Sequence, residues 1–275
     1  MNFQYTPFLI PLAIAAGVSI ELARYAWRRR HVAGMGALTI FLLAAAEWSL
    51  GYALELGSVG LETKLFWAKM QYLGIVTVAG TILVMVVQYT GYERLLTPGN
   101  LALLGIVPII TLLLVWTNEI HHWIWAEVQV VNYGSYSVLS LEHGKGFWLI
   151  VAYSYLCLHL GMVPLFLTFR RSPSVYRAQA IVIFAGMLMP WIANALYIFE
   201  LIPSSHFDFT PFAFTLTGMA AAWGLFRFQL LDIVPVARDT VIEHMRDGLI
   251  VLDRQNRIVD INPSGENPTC FLRWD

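Results

Sequence analysis

Seven long apolar segments constrain this chain more than any other feature of its sequence. A helix that crosses a membrane needs about 20 largely apolar residues. Charged residues make up only 13% of the chain, whereas a soluble domain carries about 25%. We therefore predict an all-α polytopic membrane protein that folds as a seven-transmembrane helix bundle. The predicted spans are residues 7–26, 34–56, 65–90, 99–117, 147–169, 177–200 and 210–228.

The basic residues between the spans predict how the bundle is oriented. With the N-terminus outside, the outer loops carry Lys64 and Lys145, and Lys69 lies just inside the third span. Cytoplasmic loops are enriched in Lys and Arg, so we predict an outside N-terminus, a cytoplasmic C-terminus and a location in the inner or plasma membrane of the cell. The basic residues on the predicted inner side are Arg24, Arg28, Arg29, Arg30, Arg94, Arg170, Arg171, Arg177 and Arg227.

The outer loop at residues 118–146 contains two alternating segments, AEVQVVN and YSVLSLE, on either side of YGS. Alternation of apolar and polar residues is typical of a half-buried strand, and a short connection that contains Gly is typical of a hairpin. We therefore predict a short extracellular β-hairpin over the outer mouth of the bundle.

A series of short motifs follows the order of the spans. They are EWSLGYALEL, LFWAKMQYLGI, QYTGYE, TNEIHHWIW, GKGFWLIVAYSY, YRAQAIVIFAGMLMPWIANALYIFELIP, DFTPFAFTLTG and FRFQLLDIVPVAR. Together they resemble, over residues 8–236, the N-terminal 7TM sensor region of bacterial and archaeal histidine kinases. The resemblance implies a receptor for signal transduction in a two-component system. It also implies that the full-length receptor works as a homodimer.

The segment after the spans, DTVIEHMRDGLIVLDRQNRIVDINPS, resembles the start of a PAS domain. Two apolar stretches flank the turn RQN and predict a first hairpin, which is too small to fold alone. No phosphoacceptor, ATP-binding or cyclase motif is present, so we expect an incomplete receptor whose parent is a histidine protein kinase. The predicted domains are a sensor at 1–228, a cytoplasmic coupling helix at 229–247, the beginning of a PAS domain at 248–264 and a tail of unknown nature at 265–275.

Glu47 is the most informative ionisable residue, because it lies deep within the second span. A charge at that depth is costly unless it is paired or protonated. Lys69 lies at a comparable depth in the third span, so we predict a Glu47–Lys69 pair, with Glu55 and Lys64 nearer the surface. A fixed pair that only sets helix register and a pair that contacts a ligand are equally weighted interpretations.

Aromatic and polar residues on neighbouring helix faces predict a ligand-binding pocket that is open to the outside. Trp48, Tyr52 and Glu55 share one face because they recur at intervals of four and three residues. Ordinary aromatic packing is the competing interpretation for each ring. The predicted pocket consists of Glu47, Trp48, Tyr52, Glu55, Trp67, Lys69, Gln71, Tyr72, Asn194 and Tyr197.

Histidines and loop acids suggest structural roles rather than a metal centre. His121 and His122 are adjacent, which is not a recognised ligand spacing, so we predict no metal and no other cofactor. His159 is predicted to be a hydrogen-bonded interior residue of the fifth span. Either Asp208 or Thr210 is predicted to cap the start of the last span.

Other functions remain alternatives. A small-molecule transporter would show internal repeats, and an intramembrane enzyme would need a recognisable catalytic motif; neither is evident in the sequence. A retinal photoreceptor needs a lysine in the last span, which contains none. We predict no catalytic residues in this chain. The expected partners are membrane lipids and an unknown small-molecule or lipid ligand, whereas a net charge of −1 argues against nucleic acid.

Overall fold

The computed structural model describes residues 3–134, 136–171, 174–199, 201, 207–214, 216–217, 242, 245, 247–252 and 258–265. The chain divides into two compact units, residues 1–230 and residues 231–275, which are taken separately below.

The first unit is mostly helical. Its helices are α1 (Leu9–Arg28), α2 (Met35–Gly57), α3 (Leu61–Tyr89), α4 (Pro98–Trp116), the short α5 (Asn118–His121), α6 (Phe147–Arg171) and α7 (Ser174–Ile198). A 3₁₀ turn at Glu93–Leu95 precedes α4. Residues 210–214 and 216–217 are also helical.

Five of the helices in the described part of the chain are long and apolar enough to cross a membrane. They are α1, α2, α3, α4 and residues Phe147–Thr168 of α6. The predicted sixth span corresponds to α7, in which Phe184–Ile198 forms a shorter apolar stretch. Most of the predicted seventh span, residues 210–228, lies outside the described residues.

The centre of the bundle is the contact between α2 and α3, where small residues allow the two backbones to approach closely. A Cβ atom added to Gly74 in α3 would lie 2.4 Å from the Ala44 carbonyl oxygen in α2. At Gly51 in α2, an added Cβ would lie 2.6 Å from Cγ of Gln71. Glycine is therefore needed on both sides of this interface, as is common where membrane helices pack without a hydrophobic driving force.

The helix α4 lies at the edge of the bundle. Within α4, whose residues are all described, the buried side chains are Thr111 and Val115. Leu103, Ile109 and Leu113 are each more than 60% exposed. An apolar helix with so much exposed surface suits a lipid environment.

A two-stranded hairpin covers one end of α2 and α3. The strands β1 (Trp125–Tyr133) and β2 (Tyr136–His143) pair antiparallel. Trp125 anchors the hairpin, because its ring is 1% exposed and packs edge-on against Tyr72 of α3 at 5.6 Å. We call this end of the bundle the hairpin end. The opposite end, at Arg28–Arg30 and Glu93–Leu95, is called the arginine end.

In the second unit, β3 (Ile250–Leu252) pairs antiparallel with β4 (Ile258–Ile261). The amide of Asn262 holds this small sheet together, because it accepts from the N–H groups of Leu249 and Gly265 and donates to the Asp247 carbonyl. Most of the predicted coupling helix at 229–247, and the tail after residue 265, lie outside the described residues.

We predict that Gly74→Ala will destabilise the bundle by about 1–3 kcal/mol, the usual cost of overpacking a tight interior. The added methyl group would overlap the Ala44 carbonyl oxygen and would lie 2.7 Å from Oε2 of Glu47. Thermal unfolding of the purified protein in detergent measures the effect. Gly17→Ala is the matched control, because nothing lies within 4 Å of a Cβ at Gly17 in α1. Equal unfolding temperatures for the two variants would contradict the close α2–α3 contact.

Candidate functional site

A buried lysine joins three elements at the hairpin end. Lys64, in the first turn of α3, is 0% exposed. Its ammonium group donates hydrogen bonds to the carbonyl oxygens of Glu55 at 2.9 Å and Ser137 at 2.8 Å. Because Glu55 lies near the end of α2 and Ser137 lies in β2, one cation links α2, α3 and the hairpin.

Glu55 and Gln71 extend this contact into the bundle. Oε2 of Glu55 accepts a hydrogen bond from Nε2 of Gln71 at 2.7 Å, and both side chains are buried. The same Gln71 amide lies 3.3 Å from the Trp67 carbonyl oxygen one turn earlier. A carboxylate on α2 is thus held by an amide on α3, two turns beyond Lys64.

The N-terminal segment closes over the same group from another side. Nε2 of Gln4 donates to the carbonyl oxygens of Leu56 at 2.8 Å and Ser137 at 3.0 Å. The backbone N–H of Ser137 donates back to Oε1 of Gln4 at 3.2 Å. Ser137 therefore receives hydrogen bonds from both Lys64 and Gln4, and the residues before α1 are fixed to β2.

Asp208 approaches this group from the segment that precedes the last helix. Its backbone N–H donates to the Tyr52 hydroxyl at 3.1 Å, and its carboxylate accepts from the Thr210 N–H at 2.8 Å. The Thr210 hydroxyl is 3.4 Å from Nδ2 of Asn194. Burial raises the pKa of Asp208 from its ordinary value of 3.8 to about 6, although the hydrogen bonds from Thr210 oppose this shift. Tyr52 and Asp208 lie within electrostatic reach of Glu55. We call the set Gln4, Tyr52, Glu55, Lys64, Gln71, Ser137 and Asp208 the polar cluster.

Aromatic rings pack around the polar cluster. Tyr52 lies edge-on to Phe207 and Phe212, each at 6.3 Å between ring centroids. Phe8 contacts Phe207 at 4.5 Å and Tyr136 of the hairpin at 5.9 Å. This apolar surround lowers the local dielectric, so the hydrogen bonds inside the cluster are stronger than they would be in water.

The predicted Glu47–Lys69 pair is wrong. Nζ of Lys69 pairs with Oε1 of Glu119 at 2.5 Å and lies 5.8 Å from the centre of the Trp116 ring. Glu47 instead accepts a hydrogen bond from the Gly74 backbone N–H at 2.8 Å. Lys69 and Gly74 are five residues apart, which places them about 140° apart around the helix. Although Glu47 and Lys69 lie at a similar depth, Lys69 therefore lies on a different face of α3 from the one that contacts Glu47.

Glu119, which follows α4, was not in the predicted pocket. Its hydrogen bond from Lys69 lowers the pKa of the Glu119 carboxyl below its usual range. Because the Glu119 side chain is 56% exposed, solvent weakens the pair and it contributes little to stability.

The predicted pocket residues therefore do not form a single site. Tyr52, Glu55 and Gln71 meet in the polar cluster, and Asn194 reaches it through Thr210. Lys69 lies beside Glu119 and Trp116, whereas Trp67 packs against Phe66. The remaining aromatic members pack against other rings: Trp48 against Phe214, Tyr72 against Trp125 and Tyr197 against His143.

Several members of the polar cluster were not among the predicted pocket residues. Lys64 and Glu55 were expected nearer the surface, but the hairpin and the N-terminal segment cover them. A lysine at the edge of a span is a signal that could have suggested a buried role for Lys64. Gln4 and Ser137 give no such signal, because their contacts are to residues more than 70 positions away or are made through backbone atoms.

Two buried polar groups deeper in α2 lack a hydrogen-bond partner among the residues that the structure describes. They are the indole N–H of Trp48, whose side chain is 6% exposed, and the hydroxyl of Ser49, which is 0% exposed. Buried polar groups are nearly always hydrogen-bonded, so these two are available to a water molecule or a ligand. His159, expected in the interior, is exposed on α6, where Nδ1 lies 2.6 Å from the Tyr155 carbonyl oxygen. The interior prediction for His159 is wrong, because its side chain is exposed, although its ring lies edge-on to Trp191 of α7 at 5.6 Å between ring centroids.

A family model described as the N-terminal 7TM region of histidine kinase matches residues 11–235 of the chain. This match includes α2 to α7 and every member of the polar cluster except Gln4. No curated protein matches the sequence.

We predict that Lys64→Met will detach the hairpin from the bundle and lower the free energy of unfolding by about 1.5–3 kcal/mol, the worth of hydrogen bonds to a charged group. Methionine fills a similar volume but cannot donate to Glu55 or Ser137. Hydrogen exchange at residues 125–143 and thermal unfolding measure the effect. The matched control is Lys145→Met, because Lys145 is exposed. Unchanged exchange in the hairpin would mean that Lys64 does not hold it.

We also predict that Asp208 makes stability depend on pH. Its pKa of about 6 in the folded chain lies above its ordinary value of 3.8, so the folded state keeps a proton that the unfolded state releases. This contribution is fully present below pH 3.8 and is lost as pH rises through about 6. Asp208→Asn retains a capping side chain and abolishes the titration. The unfolding temperature of the unmodified protein should therefore fall relative to that of the variant across this window.

The control for the pH experiment is Asp247→Asn, because Asp247 is an exposed carboxylate of the second unit. Its pH profile should parallel that of the unmodified protein. Parallel profiles for Asp208→Asn as well would contradict the raised pKa of Asp208.

Proposed function

The chain belongs to the N-terminal 7TM regions of histidine kinases, and we propose that it is the membrane-embedded sensor of a receptor in a two-component system. In this proposal, the sensor detects an extracellular or membrane-borne ligand. The signal passes through the last spanning helix and a coupling helix at 229–247 to a PAS domain that begins at 248. The output domain is a histidine kinase or a diguanylate cyclase, and the full-length receptor is a homodimer.

The proposed topology has seven spans, an outside N-terminus and a cytoplasmic C-terminus in the cell membrane. Two features of opposite ends of the bundle support it. Arg28 ends α1, Arg29 and Arg30 follow it, and Arg94 lies in the turn before α4, so these basic residues lie at the arginine end. The hairpin covers the other end. Since basic residues favour the cytoplasmic side, the hairpin end faces outward.

The observation that carries the proposal is the polar cluster itself. Lys64 connects β2 to the ends of α2 and α3, so a displacement of the hairpin must break or carry these hydrogen bonds. The adjoining Asp208 connects the cluster to the helix start at Thr210. A change at the outer surface thus has a direct physical route to helices that cross the membrane.

A ligand produces a signal only if it binds two packing states of the bundle with different affinity. Among the predicted pocket residues, Tyr52 packs in one cluster with Val138 of the hairpin, and Glu55 and Asn194 provide polar groups. The partnerless groups of Trp48 and Ser49 lie further along α2 and offer one hydrogen-bond donor and one hydroxyl. These chemistries suit a small amphiphilic molecule or a lipid.

Glu47 contributes to the same route as a contact between helices. Its carboxylate accepts from the Gly74 N–H at the point where α2 and α3 are closest. A small shift of α3 relative to α2 would lengthen this bond. The Glu47–Gly74 hydrogen bond would therefore differ between two arrangements of α2 and α3, whether or not Glu47 contacts a ligand.

We predict that Glu55→Gln and Glu47→Gln will each change the basal output of a chimera in which residues 1–245 are fused to a reporter kinase. Each substitution replaces a carboxylate that accepts hydrogen bonds by an amide of similar shape. Coupling energies between sites are typically about 1–3 kcal/mol, so the expected change in basal activity is about fivefold or more. Kinase autophosphorylation in membranes, normalised to the amount of chimera, measures it.

Glu62→Gln is the control, because Glu62 is exposed in the first turn of α3. Its chimera should keep the activity of the unmodified chimera. If Glu47→Gln and Glu55→Gln also left signalling unaltered in every condition, these carboxylates would be scaffold only. The proposal that the polar cluster transmits the signal would then fail.

A further inference from the structure

A second feature lies at the arginine end, away from the polar cluster. A cleft of about 680 Å³ opens between α2, α3 and α4, within the range of about 300–1,000 Å³ that is usual for ligand pockets. Its floor is one face of α3, and its walls are the first turns of α2 and the first half of α4. The apolar lining includes Ile40, Val76, Val84, Leu101, Leu104 and Pro108.

The cleft has the length of one membrane leaflet. Along α3 it is lined from Val76, near the middle of the helix, to Gln88, which is next to its last residue. These positions are separated by about 18 Å at 1.5 Å per residue. The hydrocarbon of one leaflet is about 15 Å thick. The cleft therefore runs from the middle of the membrane to the headgroup level at the arginine end.

The cleft is held open by glycines and by one tyrosine. Nothing lies within 4 Å of a Cβ at Gly36 in α2 or at Gly105 in α4, although both residues line the cleft. Tyr153 of α6 donates a hydrogen bond from its hydroxyl to the Leu104 carbonyl oxygen at 2.9 Å, and this fixes α4 beside the cleft. A Cβ at Gly80 would lie 2.8 Å from the same hydroxyl, so Gly80 is needed for this arrangement.

The mouth of the cleft carries opposite charges. Apart from His31, the charged side chains among the described lining residues are Arg30 and Glu93, and Gln88 of α3 is a further polar lining residue. The Arg30 guanidinium lies over the Trp27 ring at 4.8 Å, at the end of α1. One cation and one anion at the rim complement a headgroup that itself carries both charges.

We propose that this cleft binds one phospholipid with an ethanolamine headgroup. One acyl chain lies along α3 between Ile40 and Leu104, and the phosphate accepts hydrogen bonds from Arg30. The primary ammonium group donates hydrogen bonds to Glu93. Arginine suits phosphate because its planar donors can bind two oxygens at once. A choline headgroup is a cation without an N–H donor, and a glycerol headgroup has hydroxyl donors but no cation, so neither offers Glu93 a charged hydrogen-bond donor.

The first arm of the test examines the headgroup. The full chain is reconstituted in nanodiscs that contain equal amounts of phosphatidylethanolamine, phosphatidylcholine and phosphatidylglycerol with identical acyl chains. Native mass spectrometry then counts the lipids that remain bound. We expect phosphatidylethanolamine to be retained about two- to fivefold over each of the others, the worth of an exposed ion pair. Glu93→Gln should abolish this preference, whereas Glu62→Gln, at the hairpin end of α3, should keep it.

The second arm examines the acyl chain. Gly105→Leu and Gly36→Leu each place a side chain in the open space of the cleft and should reduce the retained lipid, with unfolding temperatures at least equal to that of the unmodified protein, because leucine favours a helix more than glycine does. Gly17→Leu is the matched control, because Gly17 is exposed on α1, has open space around it and does not line the cleft. It should retain lipid as the unmodified protein does.

Two results would overturn the proposal. One is equal retention of the three lipids by the unmodified protein, which would mean that Arg30 and Glu93 do not select a headgroup. The other is undiminished retention by either folded leucine variant at the cleft. The headgroup arm does not use the leucine variants. The proposal can therefore still be refuted by that arm if the leucine variants fail to fold. Because binding is measured directly, failure here is separate from failure of the proposed sensor function.

Discussion

The buried ammonium of Lys64 is the interaction on which the hairpin end depends. A charge that is 0% exposed must be compensated by protein groups, and here the compensation comes from backbone carbonyls of two different elements, Glu55 in α2 and Ser137 in β2. If the hairpin moved away from the helices, the Lys64 ammonium would become exposed or would lose its hydrogen bond to Ser137. Two other segments add hydrogen bonds nearby. Gln4 donates to the carbonyl oxygens of Leu56 and Ser137. The Asp208 N–H donates to the Tyr52 hydroxyl, whose ring packs against Phe207 and Phe212.

Close packing of α2 and α3 connects this end with the rest of the bundle. Gly51 and Gly74 let the helices approach until Gln71 reaches Glu55 and the Gly74 N–H reaches Glu47. A tight interface of this kind is bistable rather than freely deformable, because any intermediate separation breaks hydrogen bonds without making others. The cleft beside α4 lies at the other end of this same pair of helices.

The helices were accessible from the sequence, but the partners of their polar residues were only partly so. Apolar length predicts α1 to α4 and α6, and alternation of residues marks the two strands after α5. Depth in the membrane could also be read from the sequence, which is why Glu47 and Lys69 were matched. Their actual partners, the Gly74 N–H and Glu119, depend on how each helix is rotated about its axis, and rise per residue carries no information on that rotation. Ser137 illustrates the same limit, since its role rests on a backbone carbonyl.

The sequence by itself determined that this chain enters a membrane as apolar helices, that its basic residues gather at one set of helix ends, and that its motifs match the N-terminal region of histidine kinases over residues 11–235. These properties depend on the composition and order of residues within short segments, so they can be predicted without knowing which residues are in contact. Only the tertiary structure decided that Lys64 rather than Lys69 is the central cation and that a cleft remains between α3 and α4. Both depend on side chains that are distant in sequence meeting at a distance of a few ångströms, and that meeting is fixed by packing alone.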